Sequence, residues 1–152
     1  MTSFADVRGD PVDVLLVEDN PGDVRLIEEA FAEVDVEVTF HTATDGDEAL
    51  TILHECTDDS SSPYPDLVLL DLNLPRVNGF DVLEALRTEA TYPPIPVIVL
   101  TGSEAEEDVR KSYRESANAY LTKPAGPDEF VDLAEAVEGF WLDTARLPPT
   151  PC

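Results

Sequence analysis

Five polar side chains follow apolar runs of the sequence and together could do chemistry. They are Glu18, Asp19, Asp71, Thr101 and Lys123, and the runs before them read VLLV, LVLL, VIVL and AYLT. Three carboxylates at close range raise one another's pKa unless a cation shares the site. A hard divalent cation removes that cost, and Mg²⁺ suits oxygen ligands that leave positions open for water. If these side chains converge, they predict a magnesium site.

The same set suits attack on phosphorus. Among the residues that follow the apolar runs, Asp71 is a single acid, and it lies between the pair Glu18-Asp19 and the hydroxyl of Thr101. An aspartate beside a cation can act as a nucleophile and form an acyl phosphate. Mg²⁺, Lys123 and the Thr101 hydroxyl could then neutralise and hold the three phosphoryl oxygens.

Alternating strands and helices are predicted to bring these residues together. Continuous runs rich in Val, Ile and Leu are typical of strands buried on both faces of a parallel sheet. Five such runs occur, at residues 12–17, 36–40, 67–70, 95–100 and 119–121. Helical spacing lies between them, and Asn20-Pro21 is a helix start signal. The pattern predicts a doubly wound α/β sheet, in which the carboxyl ends of the strands share one edge.

Length and composition predict one folded domain. We expect an N-terminal arm at residues 1–11, the domain at 12–143 and a Pro-rich tail at 144–152. The start lacks the pattern of a secretory leader, and no apolar run approaches the roughly 20 residues that cross a bilayer. Two cysteines, Cys56 and Cys152, do not form a disulfide framework, so we expect a cytoplasmic protein.

The net charge of −24 arises from 33 acidic against nine basic residues. Because the acids are spread along the whole chain, the charge favours a halophilic surface adapted to high salt. The alternative is an acidic surface that binds a basic partner. In both cases binding to nucleic acid is not expected, since the sequence offers no basic patch for phosphates.

Four motifs in this order resemble the receiver domain of two-component response regulators. They are VEDNPGD, LVLLDLNLPRVNGFDVL, VIVLTGS and AYLTKP, and the resemblance covers residues 12 to about 140. It implies a flavodoxin-like sheet of five parallel strands in the order 2-1-3-4-5 with helices on both faces. It also implies that a sensor histidine kinase donates a phosphoryl group to Asp71. No output domain follows, so we expect a stand-alone receiver that acts by contact with a partner.

The resemblance also implies roles for individual residues. Asp19 and Asp71 would bind Mg²⁺ directly, Glu18 through water, and Asn73 through its backbone carbonyl. Thr101 would be a switch hydroxyl that moves onto the phosphoryl group.

Further roles lie around these positions. Tyr120 matches the aromatic residue that turns inward with the switch. The bond between Lys123 and Pro124 matches a cis peptide, which is confined almost entirely to X–Pro bonds. Asn73 and Ser103 match positions that tune hydrolysis of the acyl phosphate, and Ser103 also fits a helix N-cap before an acid-rich first turn.

The last predicted helix carries two apolar stripes. The first is expected to face the sheet, and it comprises Phe130, Ala134, Val137 and Trp141. The second, Leu133, Ala136 and Phe140, is either a wide core arc or a dimer face. The ending GFWLDTARLPP resembles stand-alone receivers that serve phytochrome-like kinases, and members of that subgroup often form homodimers through the fourth helix, fifth strand and fifth helix.

Two other functions use parts of the same pattern. A haloacid-dehalogenase-like phosphatase has a similar Asp, Thr, Lys and Mg²⁺ set, but its nucleophile lies on the first motif strand, whereas here the acid pair comes first and position 73 is Asn. A degenerate receiver could serve as a constitutive interaction module, but no motif residue is missing. We therefore expect no enzyme beyond self-phosphorylation and self-dephosphorylation at Asp71.

Overall fold

Five parallel strands form one sheet at the centre of the structure, a computed structural model that describes residues 11–58, 64–89, 94–145 and 147–148. The strands are β1 (Val12–Val17), β2 (Val38–Ala43), β3 (Leu67–Leu70), β4 (Val97–Thr101) and β5 (Ala119–Thr122). Their spatial order is β2-β1-β3-β4-β5, and every pair is parallel. This confirms the predicted order and the doubly wound class.

The starts of two strands differ from the predicted runs. β4 begins at Val97 rather than at Ile95, although Ile95 is buried, because Pro96 has no N–H for the ladder. β2 begins at Val38 rather than Val36 and lies at an edge of the sheet, where its residues are mostly half-buried. The central strands β3 and β4 are buried at every position, as continuous apolar runs predict.

Helices connect the strands in the order of the chain. They are α1 (Pro21–Phe31), α2 (Gly46–Asp58), α3 (Gly79–Thr88), α4 (Glu106–Arg114) and α5 (Pro127–Val137), followed by a π-helical segment at Glu138–Thr144. The predicted start of α1 is confirmed, since the Asn20 side chain accepts hydrogen bonds from the backbone N–H groups of Gly22 (2.9 Å) and Asp23 (3.1 Å). This cap holds the first turn of α1 directly after the end of β1.

Two hydrophobic layers cover the two faces of the sheet. On one face, Ile27 and Phe31 of α1 pack with Phe130 and Ala134 of α5. On the other face, Leu53 of α2 and three residues of α3 pack against the sheet, namely Val82, Leu83 and Leu86. Helices therefore lie on both faces, and the carboxyl ends of all five strands remain open at one edge.

The π-helical segment changes which residue of the last helix is buried. Phe130, Ala134 and Val137 face the core as predicted, but Leu142 is fully buried where Trp141 was expected. A π-helix bonds i to i+5, so the position below Val137 passes from residue 141 to residue 142. Trp141 is half-buried and packs at the margin of the same core.

The proposed domain ends lie largely outside the described residues. The described chain starts at Pro11, so the predicted arm is represented by that residue alone, and most of the predicted tail is likewise not described. Leu147 of the tail is buried against the α1 and α5 layer. Over the described ranges, no helix is both long and apolar enough to cross a membrane.

Candidate functional site

Three carboxylates meet at the open edge of the sheet. Glu18 and Asp19 follow β1, and Asp71 follows β3, the strand that pairs with β1. One oxygen from each lies within 4.8 Å of the others. Glu18 is 1% exposed and Asp71 5% exposed, whereas Asp19 faces solvent. Of the two adjacent acids, Glu18 is therefore buried inside the cleft and Asp19 is exposed at its opening.

Glu18 is a buried acid with an altered pKa. Burial raises the pKa of Glu18 from 4.5 to about 7, and the nearby charge of Asp71 acts in the same direction. Hydrogen bonds from Lys123 and from the backbone N–H of Asn20 (3.1 Å) partly oppose the rise in pKa. A buried carboxylate that resists ionisation in this way is stabilised by any cation that binds beside it.

Lys123 is the cation of the site. Its Nζ lies 2.5 Å from Glu18 Oε1, 2.8 Å from Asp23 Oδ2 and 3.1 Å from Asp71 Oδ2. Burial lowers the pKa of Lys123, but hydrogen bonds to Asp23 and Glu18 and the charge of Asp71 outweigh burial and hold the pKa above its ordinary value. The ammonium is thus charged and shared among three acids.

Asp23 is a site residue that sequence reasoning missed. It lies in the first turn of α1, and its carboxylate is about a quarter exposed, at 26% of the side chain. One signal was available, because the helix start at Asn20-Pro21 keeps the first turn above the strand edge where the acids meet. An acid in the first turn of a helix is usually explained by its favourable interaction with the helix dipole. That explanation was sufficient for Asp23, so its contact with Lys123 was not predicted.

Thr101 brings a hydroxyl to the centre of the edge. It is the last residue of β4, is completely buried, and its Oγ1 has no hydrogen-bond partner among the described residues. Its carbonyl oxygen accepts a hydrogen bond of 2.8 Å from the backbone N–H of Lys123. The strand pairing of β4 and β5 therefore places Thr101 beside the residue that reaches Asp71.

Tyr120 connects β5 to the segment after Thr101. Its hydroxyl donates a 2.8 Å hydrogen bond to the backbone carbonyl of Ser103. The Ser103 hydroxyl in turn donates to Asp108 of α4 at 2.6 Å and accepts from the backbone N–H of Ala105 at 3.3 Å. The expected N-cap role of Ser103 is wrong, since α4 begins at Glu106 and Ala105 occupies the cap position.

The expected cis peptide is also wrong. No peptide bond in the described part of the chain is cis, so the bond between Lys123 and Pro124 is trans. The trans isomer is the lower in energy for an X–Pro bond by about 0.5–1 kcal/mol. From the trans backbone Lys123 reaches all three of its carboxylate partners.

The loop after Asp71, residues 72–78, approaches the site closely. Asn73 is exposed, and its backbone N–H donates a 3.2 Å hydrogen bond to Asp71 Oδ1. A Cβ on Gly79 would lie 2.3 Å from the carbonyl oxygen of Asp71, and one on Gly46 would lie 2.0 Å from that of Val77. Glycine at both positions lets the loop fold back against the end of β3.

The predicted dimer residues lie away from this cleft. Phe140 is 55% exposed, and Ala136 is exposed beside it. Leu133 is half-buried and packs against the core. Phe140 and Trp141 form an edge-to-face pair with ring centroids 5.2 Å apart.

The donor set fits a divalent metal ion. Three carboxylate oxygens from two adjacent strands converge, and one belongs to a buried acid whose pKa is raised. Oxygen-only ligands of this kind suit Mg²⁺ or Mn²⁺. When bound, such an ion neutralises the carboxylates and polarises a phosphoryl oxygen.

Comparison with known proteins agrees with this fold and site. The chain belongs to the response regulator receiver domain family, whose model matches residues 14–135. It is a receiver-domain response regulator related to those of phytochromes.

Three comparisons, with two relatives, support that relation. The response regulator Rcp1 from Synechocystis sp. is 37% identical over 145 residues, which cover 95% of this chain and 99% of the relative. The structure of the phosphorylated cyanobacterial phytochrome response regulator RcpA has a TM-score of 0.83 and 40% identity, over 91% of this chain and 99% of that one. The Mn²⁺-bound structure of Rcp1 has a TM-score of 0.81 and 37% identity, over 91% of this chain and 100% of that one.

Proposed function

We propose that Asp71 accepts a phosphoryl group from the phosphohistidine of a sensor histidine kinase in a Mg²⁺-dependent reaction. The observation that carries this proposal is a buried carboxylate at the end of β3 that contacts Lys123 at 3.1 Å and converges with two further acids. Phosphohistidine is a suitable donor, because the imidazole is a good leaving group and only positioning and charge neutralisation are required of the acceptor.

The chemistry is a displacement at phosphorus. An Asp71 carboxylate oxygen forms the new bond to phosphorus while the bond from phosphorus to the histidine nitrogen breaks, and the electron pair of that bond leaves with the imidazole. Lys123 donates from Nζ to one phosphoryl oxygen. The Thr101 hydroxyl, buried and without a partner in the described residues, donates to another.

Mg²⁺ is the ion we propose for the site. Asp19 and Asp71 would bind it directly, Glu18 would act through water, and the backbone carbonyl of Asn73 would supply a further oxygen. The convergence of the three acids supports this set. The relative Rcp1 has been solved with Mn²⁺, an ion that prefers similar oxygen ligands.

Phosphorylation acts as a switch through Thr101 and Tyr120. Movement of Thr101 onto the phosphoryl group changes the segment that contains Ser103, to which Tyr120 is hydrogen-bonded. This segment leads into α4, so the change reaches the surface of α4 and β5. Asn73 and Ser103 are the residues that tune how fast water hydrolyses the acyl phosphate, and the hydrogen bond from the Asn73 backbone N–H to Asp71 supports this role for Asn73.

The experiment is intact mass spectrometry after incubation with acetyl phosphate and Mg²⁺ in concentrated salt. We expect one phosphoryl adduct in the wild type, no adduct after EDTA treatment, and no adduct in Asp71→Asn. Asp81→Asn is the matched control, because Asp81 is exposed in the first turn of α3, and it keeps the adduct. A folded wild type that shows no adduct, even when quenched early, overturns the proposal and favours the constitutive interaction module.

The partners follow from the same proposal. The kinase is phytochrome-like or related. The protein forms homodimers through the surface around Phe140. It works in the cytoplasm of a halophilic cell. The receiver family argues against the dehalogenase-like phosphatase. Turnover is confined to phosphorylation and dephosphorylation of Asp71 itself.

A further inference from the structure

Lys123 has one partner that the metal site does not need. Its three carboxylate contacts are Glu18, Asp23 and Asp71. Glu18 and Asp71 belong to the group of acids whose oxygens converge for a cation, together with Asp19. Asp23 does not belong to that group, although its Oδ2 lies 2.8 Å from Nζ. Lys123 therefore contacts two acids that the metal site also uses, Glu18 and Asp71, and a third, Asp23, that the metal site does not use.

Two cations compete for the shared acids. Lys123 lies 2.5 Å from Glu18 Oε1 and 3.1 Å from Asp71 Oδ2, and a divalent ion requires the same two side chains. A divalent ion and an ammonium on one carboxylate repel each other, and the repulsion is strong in a buried site. Lys123 can give up these contacts at low cost only if another carboxylate keeps its charge compensated.

We propose that Asp23 is the positioning residue of Lys123. It holds the ammonium beside the acceptor while Asp19 and Asp71 hold the metal ion directly and Glu18 holds it through water, so that metal and lysine occupy the site together. The proposal rests on the proposed function, since it concerns the same Mg²⁺ and acceptor site. Asp23 touches neither the phosphoryl group nor the metal, and it acts through Lys123.

The N-terminus of α1 provides the rigid support that such a role requires. The Asn20 side chain caps the helix through the backbone N–H groups of Gly22 and of Asp23 itself, at 2.9 and 3.1 Å. The backbone N–H of Asn20 is bonded to Glu18 Oε2 at 3.1 Å. One short segment thus positions both Glu18, which the metal site uses, and Asp23, which remains with the lysine.

The test is a double-mutant cycle on Mg²⁺ affinity, measured by calorimetry on metal-free protein in concentrated KCl. The four proteins are the wild type, Asp23→Asn, Lys123→Gln and the double variant. We expect Asp23→Asn to weaken Mg²⁺ binding about fivefold to tenfold, a coupling of about 1–1.4 kcal/mol. In the Lys123→Gln background no ammonium competes for Glu18 and Asp71, so the same substitution changes affinity by less than about twofold.

Two controls separate this role from a general effect of charge or folding. Glu28→Gln removes one negative charge from an exposed position near the other end of α1, and we expect it to leave Mg²⁺ affinity unchanged. Circular dichroism of all variants shows whether each one folds. An equal loss of affinity from Asp23→Asn in both backgrounds overturns the proposal, because the negative charge of Asp23 then acts on the metal directly and not through Lys123. No loss in either background overturns it as well.

The same titration distinguishes this inference from the proposed function. If the wild type binds Mg²⁺ and is phosphorylated on Asp71 while Asp23→Asn binds Mg²⁺ equally well, only the role of Asp23 is overturned. If the folded wild type binds no Mg²⁺, the proposed metal site is overturned, and the role of Asp23 is overturned with it.

Discussion

Thr101 is a buried hydroxyl without a hydrogen bond in the described structure. Its Oγ1 is enclosed at the end of β4, between the strands that carry Asp71 and Lys123. Burying an unpaired hydroxyl costs about 1–3 kcal/mol of stability. An unpaired buried hydroxyl calls for an explanation, and the proposed contact of Thr101 with a phosphoryl group supplies one.

We predict that Thr101→Val stabilises the unphosphorylated protein by about 1 kcal/mol, because it replaces the unpaired hydroxyl with a methyl group of similar size. Urea denaturation without Mg²⁺ or phosphate donor measures the change. Thr101→Ser retains the hydroxyl and is the control, for which we expect no gain. A Val variant less stable than the wild type contradicts the prediction and indicates that the hydroxyl is hydrogen-bonded in solution.

At the scale of elements, the loop between β3 and α3 lies close to the start of α2 and to the end of β3. A Cβ on Gly46, at the start of α2, would lie 2.0 Å from the Val77 carbonyl oxygen. Arg76 in the same loop has a φ of 62°, in the left-handed region. This loop also carries Asn73, whose backbone N–H is bonded to Asp71, so the position of the loop affects the surroundings of Asp71.

We predict that Gly46→Ala destabilises the protein by about 1–3 kcal/mol, because backbone atoms must move to admit the methyl group. The displaced loop carries Asn73, so we also expect severalfold weaker Mg²⁺ binding. Denaturation and calorimetry measure the two effects. Gly139→Ala is the matched control, since among the described residues a Cβ there meets no atom within 4 Å apart from its own helix and chain neighbours. Equal behaviour of the two variants would show that the loop adapts freely.

For the whole molecule, a net charge of −24 makes self-repulsion a main influence on stability. We predict that the melting temperature rises continuously with KCl concentration, because added ions screen the repulsion. A variant with Gln at Glu28, Glu33 and Glu37, which are exposed, is the comparison and gives a shallower rise. A melting temperature that does not respond to salt would favour the acidic binding surface instead.

Association of two copies also belongs to this scale. Phe140 is a large hydrophobic side chain that is 55% exposed, and Ala136 lies exposed on the same helical end. We predict that the wild type is a dimer and that Phe140→Asp yields a monomer, because the substitution places charges at the centre of an apolar contact. Light scattering coupled to size-exclusion chromatography measures the mass. Thr51→Asp, at an exposed residue of α2 outside the expected dimer surface, is the control. An unchanged dimer would exclude Phe140 from the interface.

Much of this molecule could be predicted from the order of its residues. Continuous apolar runs indicated buried parallel strands, and the motifs indicated the strand order that the structure has. Because parallel strands share their carboxyl edge, the acids after β1 and β3 could be expected to meet, and they do. These properties depend on local pattern and on general topology, which a linear sequence expresses directly.

Other properties depended on contacts between distant parts of the chain. Asp23 and Lys123 are 100 residues apart, and nothing in the spacing of either predicts a contact of 2.8 Å. The burial of Leu142 in place of Trp141 follows from a π-helical segment that packing selected over regular α-helical periodicity. Periodicity describes which face a residue occupies within its own element. Which side chain it meets across the sheet is set by strand register, loop path and close packing, and these exist only in the folded chain.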